Sequence, residues 1–361
     1  MSNEFFRTMI TEVKDENTNI VADGKSAGEF TGFLDTGCYM LNAVFSGSIY
    51  GGVADNKITG LAGENSVGKT FFILELVKSF QVQNPTGTAV VYDAEAAITK
   101  DMMIARGIDP ERVIVSEPDT IEKFRSHAVK LLDYYLAKPK KSRPPMMFVL
   151  DSLGMLSSSK ETGDIAEGKD TRDMTKSQLL RATFRVLTLK LAKAKVPMIV
   201  SNHTYAVIGA YVPTSEMSGG GGLKYAASSI AFLSKKKDKE GTDVVGNFIK
   251  VKMYKSRLSK ENAEVTVKLS YKTGLDKYYG LVDLAEKAGI FKKVSTRYEL
   301  PSGEKVFAKT IDNNPEKYYT KEILDQLDAA AKKFYAYGGD EDEPETIELI
   351  DETDFEDEAE A

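Results

Sequence analysis

The stretch that decides the fold is Gly63-Glu64-Asn65-Ser66-Val67-Gly68-Lys69-Thr70, which fits GxxxxGK[ST] without a mismatch. It follows the apolar segment 57–62 and precedes the apolar sequence TFFILELVKSF, which gives the strand–loop–helix context that the motif requires. In such a loop the backbone N–H groups surround phosphates, and the helix N-terminus adds positive potential. The motif predicts a nucleotide site, with Lys69 on the β- and γ-phosphates and Thr70 on Mg²⁺.

The segments around this loop alternate in a way that predicts an α/β fold. Short apolar runs predict strands buried on both faces, and segments with an apolar residue every three or four positions predict helices between them. The predicted strands are 57–62, 88–93, 146–151, 196–202, 229–233, 247–254 and 264–270, and the clearest helices are 120–138 and 178–195. This order favours a mostly parallel, doubly wound sheet.

Two carboxylates follow predicted strands. Asp151 ends the buried run MMFVL, where it suits the Mg²⁺-side acid of a phosphate-loop ATPase, although a helix N-cap is the alternative. Glu95 comes just after the strand 88–93 and could activate the attacking water, although a surface charge is the alternative. The neighbouring Asp93 could equally cap the next helix.

The composition of the chain argues against several other classes of protein. The chain has 361 residues and 42% apolar content, enough for a core, and it has one cysteine and two histidines, which argues against a disulfide framework or a zinc site. We find no apolar run that approaches the ~18 residues of a membrane helix and no signal-peptide pattern, so we expect a cytosolic protein. The net charge is −6, but the segment from Asp340 onward holds 13 acidic residues and no Lys or Arg, which leaves about +7 before it.

The motifs together resemble the RecA family of strand-exchange recombinases, and among them the UvsX recombinases of tailed phages. The resemblance runs from about residue 35 to 293. Its motifs are the phosphate loop, DAE at 93–95, PDT at 118–120, LDSL at 150–153, SNHTY at 201–205, GGGLKYAAS at 220–228, KSR at 255–257 and GLVDL at 280–284. It implies a RecA-like phosphate-loop ATPase core with ATP and Mg²⁺ as cofactors.

The resemblance also implies catalytic roles. Glu95 would be the general base, and His203 would replace the family's usual Gln as the sensor of the γ-phosphate. Lys255 and Arg257 would reach the ATP of the neighbouring subunit, as an arginine finger does. Met102 stands where bacterial relatives stack an aromatic side chain on adenine, so we expect ATP but leave the base specificity open.

The two long polar stretches 157–175 and 204–222 match the family's DNA-binding loops. The candidate DNA contacts are Lys160, Lys169, Arg172, Tyr205, Ile208, Tyr211, Gly220 and Gly221. Cations hold phosphates, and apolar or aromatic side chains among glycines can wedge between bases or stack on them. Without the resemblance, we would interpret residues 157–175 as a solvated loop, because they also include five acidic residues. The lysines at 235–237 and 239 are a further candidate for capturing a second duplex.

The sequence patterns and the family resemblance together predict four regions. These are an N-terminal oligomerisation extension (1–30), the ATPase and DNA-binding core (31–274), a small C-terminal α/β region (275–337) and a disordered acidic tail (338–361). The patterns and the resemblance also predict an ATP-dependent recombinase that forms helical filaments on single-stranded DNA and exchanges strands with a homologous duplex. The family resemblance adds a single-strand-binding protein and a recombination mediator as partners, in a host cytoplasm if the chain is phage-encoded. A hexameric helicase and a non-catalytic accessory protein are the alternatives.

The acidic tail has two interpretations. It could mimic DNA or screen the basic body, which would slow unwanted binding of duplex DNA. The alternative is a tail that serves only solubility.

Overall fold

The structure is a computed structural model that describes residues 2–13, 18–24, 26–30, 32–169, 175–206, 215–219 and 221–338. Four of the candidate DNA contacts, Arg172, Ile208, Tyr211 and Gly220, lie outside the described residues, as does the acidic tail from residue 339. Among the described residues, no helix combines the length and the apolar character needed to cross a bilayer.

Fifteen strands are described. They are β1 (Phe33–Leu34), β2 (Val53–Ala54), β3 (Ile58–Gly63), β4 (Thr88–Asp93), β5 (Val113–Ser116), β6 (Met146–Asp151), β7 (Met198–Ala206), β8 (Ser215–Met217), β9 (Ser229–Glu240), β10 (Asp243–Ser256), β11 (Glu264–Ser270), β12 (Gly274–Leu275), β13 (Lys292–Val294), β14 (Arg297–Glu299) and β15 (Lys305–Val306).

Twelve α-helices are described. They are α1 (Ser2–Val13), α2 (Tyr39–Ser46), α3 (Lys69–Gln83), α4 (Lys100–Ala105), α5 (Ile121–Leu136), α6 (Ser159–Ala166), α7 (Lys176–Ala194), α8 (Gly222–Ala226), α9 (Leu281–Lys287), α10 (Ala308–Asn313), α11 (Pro315–Tyr318) and α12 (Lys321–Tyr335).

One large sheet organises the core, in the order β12-β11-β10-β9-β3-β7-β6-β4-β5, with β8 paired to β7. The six strands from β9 to β5 run parallel, and β10, β11 and β12 extend the sheet in antiparallel fashion. The predicted mostly parallel α/β fold is therefore confirmed. The carboxyl ends of β3, β4, β6 and β7 meet at one edge of the sheet, where open α/β folds bind ligands.

Apolar side chains pack on both faces of this sheet. Alternate residues of one strand point to opposite faces, so Met147 and Val149 of β6 join the core with α2 and α3, while Phe148 and Leu150 join the core with α5 and α7. These side chains are fully buried, and burial of each stabilises the fold by about 1.5–3 kcal/mol. Two covered faces explain why the strands carry unbroken apolar runs.

The strand predictions differ from the structure at a few places. The bounds of β4, β6 and β11 are as predicted, but β7 begins two residues later, at Met198, because Pro197 has no N–H to donate. The edge strand β5 was not predicted. Its sequence, VIVS, is short, and Ile114 and Val115 are about half exposed.

The two polar stretches hold more regular structure than a loop. In the first, residues 159–166 form α6, because Ser158 and Glu161 make a reciprocal capping box at its N-terminus. In the second, β7 continues to Ala206 and pairs with β8, so a hairpin flanks the residues that the structure leaves undescribed. The prediction of a continuous loop was wrong for these residues.

The C-terminal region packs on α2. A row of aromatic rings joins the two: Tyr39 lies edge-on to Tyr278, which stacks on Tyr319 at 5.7 Å between ring centroids. Within this region α11 and α12 are separate helices, because Thr320 caps a new N-terminus. The boundary predicted at residue 274 falls in β12, the last strand of the large sheet, and the four-region division stays a prediction.

Candidate functional site

The phosphate loop connects β3 to α3, and two of its positions require glycine. Gly68 has φ +106°, a conformation that favours glycine, and a Cβ on Gly63 would lie 2.7 Å from the carbonyl oxygen of Leu233. The Lys69 amine donates to the carbonyls of Gly63 (2.9 Å) and Glu64 (2.7 Å), so it lies across the loop. Burial lowers the pKa of Lys69, while the carboxylates of Glu95 and Asp151 act in the opposite direction.

A second group joins the ends of β6 and β7 to this loop. The Thr70 hydroxyl donates to one oxygen of Asp151 at 2.6 Å, and the Ser201 hydroxyl donates to the other. Asp151 is almost fully buried, and burial raises the pKa of its carboxyl while the two hydroxyl donors oppose that effect. The structure thus brings together the two predicted Mg²⁺ ligands, Thr70 and Asp151.

The third group surrounds His203 on β7. His203 Nε2 lies 3.0 Å from Glu95 Oε1 and 3.1 Å from the Ser152 hydroxyl, and its Nδ1 lies 3.5 Å from the Lys69 amine. The ring is mostly buried and Glu95 is about one-quarter exposed. His203 therefore lies between the predicted general base and the phosphate-loop lysine, 108 residues from one and 134 from the other.

The turn that carries Glu95 is held by Asp93. The Asp93 carboxylate accepts the backbone N–H of Glu95 at 3.1 Å and that of Ile98 at 2.9 Å. Asp93 thus caps the turn after β4, which keeps Glu95 at the carboxyl edge of the sheet.

His203 is also connected to the β7–β8 hairpin. Its carbonyl accepts the N–H of Ser218 at 3.0 Å. The side chain of the preceding residue, Asn202, donates to the Ser218 carbonyl and accepts from the Ser218 hydroxyl, both at 2.9 Å. The sensor position and the hairpin of the second polar stretch are therefore coupled by three hydrogen bonds.

This arrangement fits Mg²⁺ and a nucleotide triphosphate. A buried carboxylate beside a hydroxyl is an all-oxygen donor set of the kind that Mg²⁺ prefers, and the raised pKa of Asp151 marks a carboxylate that a cation would stabilise. The loop of residues 63–70, open at the N-terminus of α3, suits phosphate oxygens.

The remaining predicted nucleotide contact, Met102, lies on α4. Its N–H donates to the Thr99 hydroxyl at 3.2 Å, which caps this helix, and its side chain is partly buried against the core. Nearby, the Arg106 guanidinium lies 4.3 Å from the ring centroid of Phe71, the residue after Thr70, so α4 packs beside the start of α3.

Lys255 and Arg257 lie away from the phosphate loop of their own chain. Lys255 pairs with Ile230 near the start of β9, whereas Gly63 is level with Leu233, so the two sites are separated by ~10 Å along the sheet. The Lys255 amine donates to the carbonyl of Lys224, and burial lowers its pKa, with Arg257 adding to that effect. Arg257 is exposed.

The described DNA candidates lie in three places. Lys160 is exposed on α6, and Lys169 is exposed just after that helix and forms an ion pair with Glu167. Tyr205 is 63% exposed on β7 opposite Glu216, and Gly221 is the N-cap of α8, where a Cβ would lie 2.9 Å from the Tyr225 ring. Their contacts with DNA stay predictions.

Sequence reasoning gave no role to three residues that complete the site. The Ser152 hydroxyl contacts the His203 ring, and the Ser201 hydroxyl donates to Asp151. The Asn202 side chain is hydrogen-bonded to Ser218. Each of these three residues lies within two residues of a residue that was singled out, and polar side chains that follow an apolar strand segment were the available signal.

The comparisons with known proteins agree with this geometry. The model of the RecA N-terminal domain family matches residues 11–276. The chain belongs to the RecA family. The predicted family and RecA-like fold are therefore confirmed, and the helix-flanked parallel sheet with its phosphate loop is the core of a RecA-family protein.

Individual relatives of this RecA-family chain come from a phage and from bacteria. The "Recombination and repair protein" of Enterobacteria phage T4 is 33% identical over 254 residues, which cover 70% of this chain but only 63% of that relative, so the chain spans less than two thirds of it. Protein RecA of Corynebacterium glutamicum (strain R) is 28% identical over 320 residues, 86% of this chain and 81% of the relative. Protein RecA of Deinococcus radiodurans is 29% identical over 291 residues, which cover 78% of this chain and 76% of that relative. The phage match bears out the predicted phage branch.

Proposed function

We propose that this chain is an ATP-dependent recombinase that assembles on single-stranded DNA and exchanges strands with a homologous duplex. The observation that carries the proposal is the position of His203. It contacts Glu95 and lies near Lys69 on one side, and it is hydrogen-bonded through its backbone to the hairpin of the second DNA candidate segment on the other. One residue thus connects the candidate nucleotide site to the candidate DNA-binding segment.

In the proposed hydrolysis, the residues have separate roles. The loop 63–70 and Lys69 would hold the phosphates. Thr70, and Asp151 through a water molecule, would hold Mg²⁺, which would supply positive charge to neutralise the phosphates. Glu95 orients the attacking water and takes its proton, and the mostly buried setting beside His203 fixes the direction of its carboxylate. Since Lys69 and Asp151 are buried, their charges act more strongly than they would in water.

The proposed coupling runs from His203 to Ser218. A shift of the imidazole toward a bound γ-phosphate would break its contact with Glu95 and would move the strand that carries Asn202. Because Asn202 and His203 together hold Ser218 through three hydrogen bonds, the hairpin would move with them. DNA held by this hairpin, with Tyr205 on its first strand, would favour one state of the site, as linkage requires.

The active site is proposed to be shared between subunits. Lys255 is offset by ~10 Å along the strand direction from its own phosphate loop, and Arg257 lies two residues further from it, so both suit the ATP of a neighbouring subunit in a filament. The exposed side chains of Phe5, Phe6 and Met9 on α1 give the N-terminal extension an apolar surface for the neighbour. We further propose a single-strand-binding protein and a mediator as partners, and the host cytoplasm as the location.

The first test is ATP hydrolysis with and without single-stranded DNA, followed by electron microscopy with a non-hydrolysable ATP analogue. We expect DNA-stimulated hydrolysis, its loss in Lys69→Ala, and helical filaments on the DNA. Hydrolysis that DNA does not change would favour an accessory protein. Closed rings that translocate along DNA would favour a helicase.

A further inference from the structure

A cleft of about 410 Å³ opens at the edge of the sheet opposite to the nucleotide site. We name it the basal cleft. It is lined by residues just before or at the start of the parallel strands, Asp55, Met146 and Pro197, together with Phe33 of β1 and the loop that follows α5. Since β6 has six residues, the cleft lies ~20 Å from the carboxyl edge of the sheet.

The rim of the basal cleft is basic and held in place. Four cations, Lys140, Arg143, Lys193 and Lys195, line it against one carboxylate. Arg143 donates to the carbonyls of Leu136 (2.7 Å) and Lys138 (2.8 Å). The loop also carries prolines at positions 139, 144 and 145. The loop after α5 therefore carries several positive charges in a fixed conformation. Such a loop loses little conformational entropy when an anionic segment binds.

The floor of the same cleft is apolar. Phe33 is 36% exposed and stacks on Phe30, which is 40% exposed, and the side chains of Phe80 and Met146 continue the surface inward. Aromatic side chains left exposed beside a row of cations suit an occupant that has both acidic and apolar side chains.

The chain itself contains such a segment. Residues 345–357 read ETIELIDETDFED, in which Ile347, Leu349, Ile350 and Phe355 stand among acids. A tail that serves only solubility has no use for these four side chains. We propose that this segment of the acidic tail docks in the basal cleft of its own chain, with the apolar side chains on the floor and the carboxylates on the rim.

The tail is long enough to do so. A Cβ on Gly47 would lie 2.7 Å from the Cβ of Ala336, which places the start of the tail beside the end of α2. Asp55 of the cleft is eight residues further along the chain from Gly47, which limits the distance between them to ~28 Å. The docked segment begins at Glu345, nine residues after Ala336, and a linker of that length spans at most ~30 Å, so docking needs no second subunit.

A tryptophan reporter tests the proposal, because the chain has no tryptophan of its own. In full-length Phe355→Trp we expect blue-shifted emission and protection from acrylamide that do not depend on protein concentration. In Ala361→Trp, a reporter at the end of the same tail, we expect the emission of a solvent-exposed indole. Adding Lys140→Glu and Lys195→Glu to Phe355→Trp should lower the ratio of docked to free tail by about tenfold.

The control for that double variant is Lys292→Glu with Lys309→Glu, which reverses two exposed lysines elsewhere and should leave the emission unchanged. Zero-length cross-linking of the unaltered chain gives a second readout that needs no folded variant: we expect links from Lys140 or Lys195 to carboxylates of residues 345–357. An exposed indole in Phe355→Trp together with no such links would overturn the proposal. So would an exposed indole accompanied by weaker binding of a single-stranded oligonucleotide in the Lys140→Glu, Lys195→Glu variant, which would assign the cleft to nucleic acid.

Discussion

Replacing Asp151 by Asn tests the assignment of the Mg²⁺ site through stability. In the nucleotide-free protein the buried carboxylate accepts from Thr70 and Ser201, and its pKa is raised chiefly by burial. A group with a raised pKa in the folded state destabilises the fold in its charged form, so the cost is absent at acidic pH and grows as the pH rises through that pKa. Asp151→Asn should therefore gain stability relative to the original protein as the pH rises, in the absence of nucleotide.

With Mg²⁺ and a nucleotide the effect should reverse. A ligand present at 100 times its Kd stabilises the folded state by about 2.7 kcal/mol. Removing one charged partner costs about 1.5–3 kcal/mol, which weakens binding ~10- to 150-fold and reduces the ligand stabilisation to about 1.4–0.3 kcal/mol. At ~2 °C per kcal/mol for a chain of this size, a ligand-induced rise in Tm of ~5 °C should fall to ~3 °C or less.

Thermal unfolding with and without Mg²⁺ and a non-hydrolysable ATP analogue measures both effects, at identical ligand concentrations. Asp243→Asn is the matched control, since Asp243 is an exposed aspartate at the start of β10. If Asp151→Asn gained as much from the ligand as the original protein, the assignment of Asp151 to the Mg²⁺ site would be refuted.

Three further predictions concern the coupling and sharing of the site. Glu95→Gln should lower kcat for ATP hydrolysis by about 10²–10⁴ in steady-state assays, with nucleotide affinity retained because the loop is unchanged. Asn202→Ala removes two of the three hydrogen bonds to Ser218, so basal hydrolysis should persist while its stimulation by single-stranded DNA falls. Lys69→Ala and Lys255→Ala should each be inactive alone, and mixing them should restore part of the activity because some interfaces then hold both lysines.

One control and two contradicting outcomes check these three predictions. Glu111→Gln changes an exposed carboxylate outside the site and should keep the original kcat. Equal losses of basal and DNA-stimulated hydrolysis in Asn202→Ala would contradict the coupling. For the shared site, a mixture no more active than either variant alone would place Lys255 outside the neighbour's reaction.

The sequence predicted the parts of this fold that are set by local patterns. The phosphate loop was located by its motif, and strands β4 and β6 were located correctly because a buried strand between two helical layers must be apolar throughout. Strand β11 was located by another local pattern, the alternation of buried apolar residues with polar ones. The helix α6 was missed although its capping box, Ser158 to Glu161, is a local signal, because the many charges of that stretch suggested a loop. The edge strand β5 was missed because half of its surface faces solvent.

The candidate site was predictable residue by residue but not as a set of contacts. Glu95 could be singled out from its place after a strand, and His203 from the resemblance to the family. Their 3.0 Å contact depends on the strand order β7-β6-β4, which no local pattern encodes. The bonds from Asn202 to Ser218 likewise depend on how β8 folds back on β7. The basal cleft is assembled from five separate segments of the chain, so only the folded structure shows it.

Strand exchange tests the central proposal most directly. The full chain, ATP and Mg²⁺ would be incubated with a circular single strand and a linear duplex that is either homologous or heterologous, and the products separated by electrophoresis. We predict joint molecules and exchanged products only with the homologous duplex, only with ATP, and not with Lys69→Ala. Failure to pair the homologous duplex despite active DNA-stimulated hydrolysis, or equal products from the heterologous duplex, would contradict the recombinase assignment.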